Sequence, residues 1–555
     1  MSCPCPCTVR LTDAVEEVDA GAAPRYRLAR VSACVILLPT AFLLTWTVAN
    51  QAPPPPPFGE PKVYRAFPPM DSIGRPFATD QLSLGFMLRE DLEVDTSNSS
   101  TLTEIHRTTV KNETVELTRS WLRTFATVDE SFSNINGQGM VKANASVRVW
   151  EEALRTNIQL VEQGMRPVGN VSLPTKIENV TEWITGLQYH AFVRRPPPTP
   201  TSMASSENVM TPSKIRAYYD ITTNGSSATK HAVVETDGFA STRDVEAFAE
   251  TFGIDLPPLS LVDSSIRSKN NQEASLDVQV MVSVASGVPL IEVEGSDGPA
   301  EDFLEYVHGQ ADDLADVYSI SYGEEESLFD ETFLLVFDRK MKYLAQIGTT
   351  VVASSGDDGA NGPLARGGVA NCTTRPQFPA SSPHVVAVGA TQGPEVGDPE
   401  IACSSVTGGL ITSGGGFSGV FAAPPWQQLG PNVTSRGYPD VAFAGAAYEI
   451  ISQGVPIVAY GTSASAPLFA AMLSLVNSER RASGRRPATN VVKRLYEAPS
   501  TLFTDVVVGN NYCAMGQPNT AVCCPAGYDA GVGWDAVTGR GSVSLPNLRI
   551  ILLND

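Results

Sequence analysis

Basic residues are in short supply along this chain. Lys and Arg number 39 against 60 Asp and Glu, so the net charge is 39 − 60 = −21, and the cationic footprint that nucleic-acid binding requires is missing. An anionic partner surface is disfavoured for the same reason. Histidine is scarcer still, at five in 555 residues, which leaves few candidates for an imidazole base. Nine cysteines are present, but Cys523 and Cys524 are adjacent and no His lies near them, so metal-ligand spacing is absent. No internal repeat is found. The apolar fraction of 42%, with 6 Trp, 15 Tyr and 21 Phe, excludes wholesale disorder, and the length suggests three or four units of about 150 residues.

Charge and apolar residues are both unevenly placed. From Asn208 onward there are 20 basic and 38 acidic residues, a balance of −18 that leaves −3 for everything before it. Two different bodies therefore share the chain. Eleven carboxylates lie between Glu301 and Glu331 without one Lys or Arg. Such a solvated acidic face loses its self-repulsion as protons are taken up, which suits work in acid. Residues 31–49 carry no charge and follow Arg25, Arg27 and Arg30, so the positive-inside rule exports what comes after them. The segment reads equally as a cleaved signal peptide or a signal anchor, and the protein meets a membrane only if it stays uncleaved. Residues 1–30 would then be a cytosolic tail. Eight Asn-x-Ser/Thr sequons, at Asn98, Asn112, Asn144, Asn170, Asn179, Asn224, Asn371 and Asn432, all follow the apolar run, in agreement with a glycosylating lumen. Five cysteines lie in the exported part, Cys372, Cys403, Cys513, Cys523 and Cys524; an oxidising compartment would pair four.

Two proline-rich breaks divide the rest. Residues 50–59 form a stiff spacer, and residues 194–207, RRPPPTPTSMASSE, read as an exposed linker. Between them, residues 60–193 resemble a compact α+β domain with a strand at Leu82–Leu88 and helical patterns at Glu116–Ala126 and Val147–Glu162. Residues 208–555 alternate differently: an apolar strand at 288–295, a helix at 301–316, a strand at 317–323, a helix at 330–347 and a strand from Thr349. That alternation predicts a parallel sheet covered on both faces by helices, an α/β fold.

Three segments carry chemistry. In GTSASAP, 461–467, Ser463 stands between an apolar strand and a helical run. Its hydroxyl is then exposed at a helix N-terminus whose positive potential suits a forming oxyanion, unless the turn merely caps the helix. A nucleophilic serine needs a base. His231 and His384 sit in strand contexts, and His308 is the one candidate for a subtilisin-type order, without that motif's continuation. The alternative base is a carboxylate: Glu273 and Asp277 are four apart in NQEASLDVQVMVSVA, so they project from one helix face. Like charges there repel and raise one pKa, which suits a base working in acid. The third segment, TTVVASSGDDGA, ends a strand in a glycine turn bearing Asp357 and Asp358. A protonated Asp at the carboxyl end of a parallel strand can donate to an oxyanion; a plain turn-forming pair is the other reading.

Together these segments resemble the sedolisin family of serine-carboxyl peptidases, and most closely its tripeptidyl-peptidase branch. The likeness runs from Thr211 to Pro546 through TPSKIRAYYDI, EASLDVQ, SSGDDGA, FPASSPHVVAVGAT and the run from SGGGFS through YPDVA to GTSASAP. It implies a subtilisin-like parallel sheet covered by helices. It also implies that Ser463 is the nucleophile, Glu273 the base, Asp277 its orienting partner and protonated Asp357 the oxyanion carboxyl. A Ca²⁺ site is implied at Asp505, Val506, Gly531, Gly533 and Asp535, matching an Asp-Xaa pair and the GVGWD turn. The resemblance makes 60–193 a propeptide that inhibits its own enzyme, and 208–555 an acid-active peptidase releasing tripeptides from peptides and small proteins. The expected location is the lysosome or a similar acidic compartment, with secretion as the alternative. Against this stand a sedolisin-type or histidine-based endopeptidase and an inactive calcium-stabilised binding protein. The sequence departs from the family pattern at Asp358, where a small residue is usual, and in its N-terminal extension.

Overall fold

The periodicity of the chain resolves into two bodies, whose apolar cores meet where Met87, Met140 and Trp183 of the first join a cluster of the second. The computed structural model describes residues 58, 61–67, 80–89, 110–129, 139–161, 164–186, 208–236, 238–262, 272–295, 299–310, 313–430 and 432–553. The 1–30 tail, the 31–49 segment, the 50–59 spacer apart from Phe58, the 194–207 linker and the Asn98 sequon lie outside them. No described helix is long and apolar enough to cross a membrane. The other seven sequon asparagines are all exposed.

In the N-terminal body, the strand Gln81–Leu88 pairs antiparallel with Met140–Ser146 and Thr181–Thr185, and Thr127–Val128 adds a fourth strand. Pro61–Phe67, Gly164–Pro174 and Asn157–Val161 make a second, three-stranded sheet. Phe86, Trp121 and Trp150 pack together in its core beside the helices Asn112–Leu122 and Val147–Leu154. The helix expected over 147–162 stops at Leu154, where Arg155 takes a left-handed φ of 51°. From there the pattern shifts to period two, with Ile158 buried between exposed Asn157 and half-exposed Gln159, and the segment becomes a strand.

The C-terminal body holds an eight-stranded, mainly parallel sheet. Its order is Leu259–Ser260, Leu290–Glu294, His231–Glu235, Val317–Ile320, Thr350–Ser354 and Val386–Gln392, the last flanked by parallel Val441–Ala444 and antiparallel Ile401–Ala402. Side chains alternate between the faces. Ala232 and Val234 join a core with the helices Pro299–Gln310 and Glu331–Ile347; Val233 joins one with Gln272–Val284 and Thr462–Ala482. Helix Glu331–Ile347 begins at Asp330, whose carboxylate caps Thr332 N at 2.8 Å, and ends at left-handed Gly348. The strand expected from Val288 and the helix expected to run to Asp316 are both shorter than their patterns, at Leu290–Glu294 and Pro299–Gln310.

A buried ion pair fixes the sheet near its far edge. Arg436, fully buried, forks onto Asp440 at 2.6 and 2.7 Å, and Asp440 also accepts Ala387 N and Tyr496 Oη at 2.8 Å each. Truncating one partner leaves a buried charge uncompensated, so Arg436→Ala is expected to destabilise the C-terminal body by about 3–5 kcal/mol. A urea midpoint unchanged from wild type would refute this.

Candidate active site

Three of the four sequence-predicted catalytic side chains, Glu273, Asp357 and Ser463, line one cleft at the carboxyl ends of the central strands. Ser463 is the second residue of the Thr462–Ala482 helix and only 4% exposed, in a first turn where Thr462 N–H donates to Asp357 and Ala464 N–H to the Gly461 carbonyl. Its Oγ donates to the Ser321 carbonyl at 3.4 Å. Glu273 opens the helix Gln272–Val284, which packs directly against the serine helix. One turn on, Asp277 is fully buried, which places it behind Glu273. The near-continuous apolar run of this helix has its explanation here, because every residue from Ala274 to Val284 is buried.

Asp357 stands in the turn after strand Thr350–Ser354, where Gly356 at φ 105° and Gly359 at φ 60° supply conformations that only glycine adopts freely. Thr462 donates to Asp357 Oδ1 through its N–H at 2.8 Å and its hydroxyl at 2.9 Å. Desolvation outweighs those bonds, and with lesser contributions from Asp358 and Glu273 pushes the carboxyl up to about 6. In acid it is a neutral donor. Asp358, the departure from the family pattern, is neutralised: Arg366 forks onto it at 2.6 and 2.5 Å, and Met515 N donates at 3.0 Å.

Met515 belongs to a loop held by two disulfides, Cys372–Cys524 and Cys513–Cys523, so the bridges fix one wall of the cleft. Of the five cysteines that follow the apolar run four pair, and the odd one is Cys403, a buried free thiol.

Among the described residues no histidine lines this cleft. His308 is buried on helix Pro299–Gln310 with Nδ1 on the Leu304 carbonyl at 2.6 Å, and burial lowers its pKa to about 4. His231 packs in the core against Ser474 at 3.2 Å, and His384 pairs with Asp338 at 3.0 Å. One carboxylate escaped the sequence reading. Glu235, fully buried at the end of strand His231–Glu235, accepts Tyr322 Oη at 2.7 Å. Desolvation, then Asp277 and Glu292, raise its pKa well above the usual range, with Glu273 adding to the effect. A carboxylate closing the apolar run HAVVE at a central strand's carboxyl end was the available signal.

The expected calcium ligands also converge. Gly533 N donates to Asp505 Oδ2 at 2.8 Å, Gly531 N to Asp535 Oδ2 at 3.0 Å, and Thr538 Oγ1 to the Val506 carbonyl at 3.3 Å. Among the described residues no group of three or more His, Cys, Asp or Glu side chains could hold a metal, so an ion here would need carbonyl oxygens beside the two carboxylates. An all-oxygen set of that kind fits Ca²⁺.

The subtilase family model matches residues 264–500. Tripeptidyl-peptidase 1 of Macaca fascicularis is 31% identical over 418 residues, covering 69% of this chain and 72% of the relative. The dog protein of the same name is 28% identical over 570 residues, 89% of this chain and 96% of the relative. Among solved structures, Pseudomonas sedolisin, a serine-carboxyl proteinase complexed with pseudo-iodotyrostatin, aligns at 26% identity and a TM-score of 0.51 over 62% of this chain and 97% of its own. With a relative 31% identical and covered over 72% of its length, and with Pseudomonas sedolisin aligned over 97% of its own, the chain belongs to the sedolisin family of serine-carboxyl peptidases.

Proposed function

We propose that this protein is an acid-active peptidase that releases tripeptides from the free N-termini of peptides and small proteins, and that it is made as a zymogen. The observation that carries the chemistry is the convergence of Ser463, Glu273 and a neutral Asp357 on one cleft without a histidine. Ser463 Oγ bonds to the scissile carbonyl carbon while its proton passes to Glu273, held in place by Asp277. The oxyanion takes a hydrogen bond from protonated Asp357 and from the Ser463 N–H. Glu273 then protonates the leaving amine as the C–N bond breaks, and a water repeats the sequence to free the acyl product. Tripeptide release is favoured by the named relatives. Acid-treated protein incubated with matched peptides bearing free and acetylated N-termini tests it: products three residues long from the free peptides alone are expected. Internal cuts in both sets would assign an endopeptidase instead.

Residues 60–193 serve in this reading as the inhibitory propeptide, and the working location is a lysosome-like acidic compartment reached through the secretory pathway. Asp505, Asp535 and the carbonyls of Val506, Gly531 and Gly533 would hold Ca²⁺, whose contribution is to tie two C-terminal loops together. An ion that binds only the folded form stabilises it by ~2.7 kcal/mol when free calcium exceeds its Kd about 100-fold. Chelation is therefore expected to lower the Tm of wild type by several degrees, and Asp535→Ala, which also loses the N–H bonds of Gly531, Val537 and Thr538, to melt lower with a Tm that no longer responds to calcium. Identical melting of all four samples would remove the site.

A further inference from the structure

One wall of the cleft is the short strand Glu324–Glu325, paired antiparallel with Gln377–Phe378, and both Glu324 and Gln377 line the space beside Ser463. Three carboxylates follow one another here, and two are engaged. Arg375 binds Glu325 at 2.8 Å, while Ser418 Oγ and Gly419 N bind Glu326 at 2.6 and 2.7 Å. Across the cleft, Thr462 holds Asp357 and Arg366 is committed to Asp358. Glu324 accepts the backbone N–H of Glu325, and among the described residues no cationic side chain pairs with it. A half-buried carboxylate is thus left facing the place where substrate must lie.

Resting on the peptidase reading above, we propose that Glu324 is a specificity-determining residue whose carboxylate receives the cationic side chain of a substrate Lys or Arg beside the scissile bond. Neutral side chains of the same length would gain no such charge-assisted bond. Desolvation, and then Glu325, push the Glu324 carboxyl up to about 7, so in acid the empty pocket carries it mostly neutral. A bound cation must displace that proton. Preference for a basic side chain over a neutral isostere then rises with pH, by at most about tenfold per unit, until the carboxyl is ionised without help. The other titrating groups facing this space are Glu273, Asp357, Asp358 and Tyr460, and Glu325 stands behind it; Glu324→Gln retains them all, so its comparison with wild type isolates Glu324.

The experiment is a competition between peptides that differ only by arginine or its neutral isostere citrulline, placed in turn at each position flanking the cut. Relative kcat/KM is read by mass spectrometry at pH 4.5 and 5.5 for acid-matured wild type and Glu324→Gln. At one position, wild type is expected to favour arginine increasingly with pH, by several-fold over that unit. The variant should hold a flat ratio, and a Tm equal to that of wild type shows that it is folded. Equal arginine-to-citrulline ratios in the two proteins would overturn the inference, as would a variant that loses both peptides alike. No cleavage of any peptide by wild type would overturn the peptidase reading and this inference with it.

Discussion

Ser463→Ala and Glu273→Gln are each expected to reduce kcat by at least about 10⁴-fold while leaving the precursor folded. Neither side chain carries the core: Ser463 makes one long hydrogen bond of 3.4 Å to Ser321, and Glu273 stands at the first turn of its helix. Their losses should be strongly non-additive, because a serine without a base and a base without a serine fail at the same proton transfer. Asp357→Ala removes one oxyanion donor and is expected to cost about 10²–10³-fold. The pH profile follows from the same carboxyl. Its pKa is raised to about 6, so it is a neutral donor below that pH and an anion repelling the oxyanion above it; kcat/KM should fall about tenfold per unit as pH rises past 6. Near-normal hydrolysis by Glu273→Gln, or wild-type activity still rising at pH 7, would remove the carboxyl mechanism.

The legible parts of this site are those whose residue types are costly in any other role. Glu273 and Asp277 could be found because two carboxylates one turn apart interrupt an otherwise apolar helix, and Ser463 because a strand runs through a glycine turn into a helix. The sheet was legible for a similar reason, since a run such as TTVVAS can be satisfied only between two layers of helices. Glu235 was hidden, because a single acid after an apolar strand looks like a strand end meeting solvent; its burial against Tyr322 depends on strand order, which no local pattern records. The same holds for Asp358. Its neutraliser Arg366 lies eight residues away across a glycine-rich turn, and the Met515 N–H that helps hold it arrives through a disulfide-bonded loop 157 residues on. His308 shows the converse case, a titratable group whose buried helix face removes it from chemistry altogether.

Purified precursor shifted to acid is expected to cut itself between Thr199 and Val209, and the Ser463→Ala protein to remain full length. The described contacts show what must loosen. Trp183 of the N-terminal body packs on Phe333 at 5.2 Å, and the Arg65 guanidinium lies over the Trp183 ring, 4.3 Å from its centroid. Three ion pairs surround it, Arg65 with Asp330, Lys142 with Glu305 and Arg339 with Glu182, and Thr185 also donates to Glu305. Partly exposed pairs of this kind contribute only about 0.2–1 kcal/mol apiece. Their loss weakens the interface without dissolving its apolar centre. Glu301, which accepts Gly186 N–H, is not the trigger: burial raises its pKa to about 8, so it is already neutral at pH 7 and unchanged in acid. Cleavage of the linker supplies the rest, because the N-terminal body then loses the high effective concentration that tethering gives it. On this expectation acid acts on Asp357 and linker cleavage on the grip. N-terminal sequencing over a time course decides this, at dilutions that separate self-cleavage from cutting between molecules. Maturation of Ser463→Ala at the wild-type rate, or no new N-terminus within Thr199 to Val209, would show that another protease or another site is responsible.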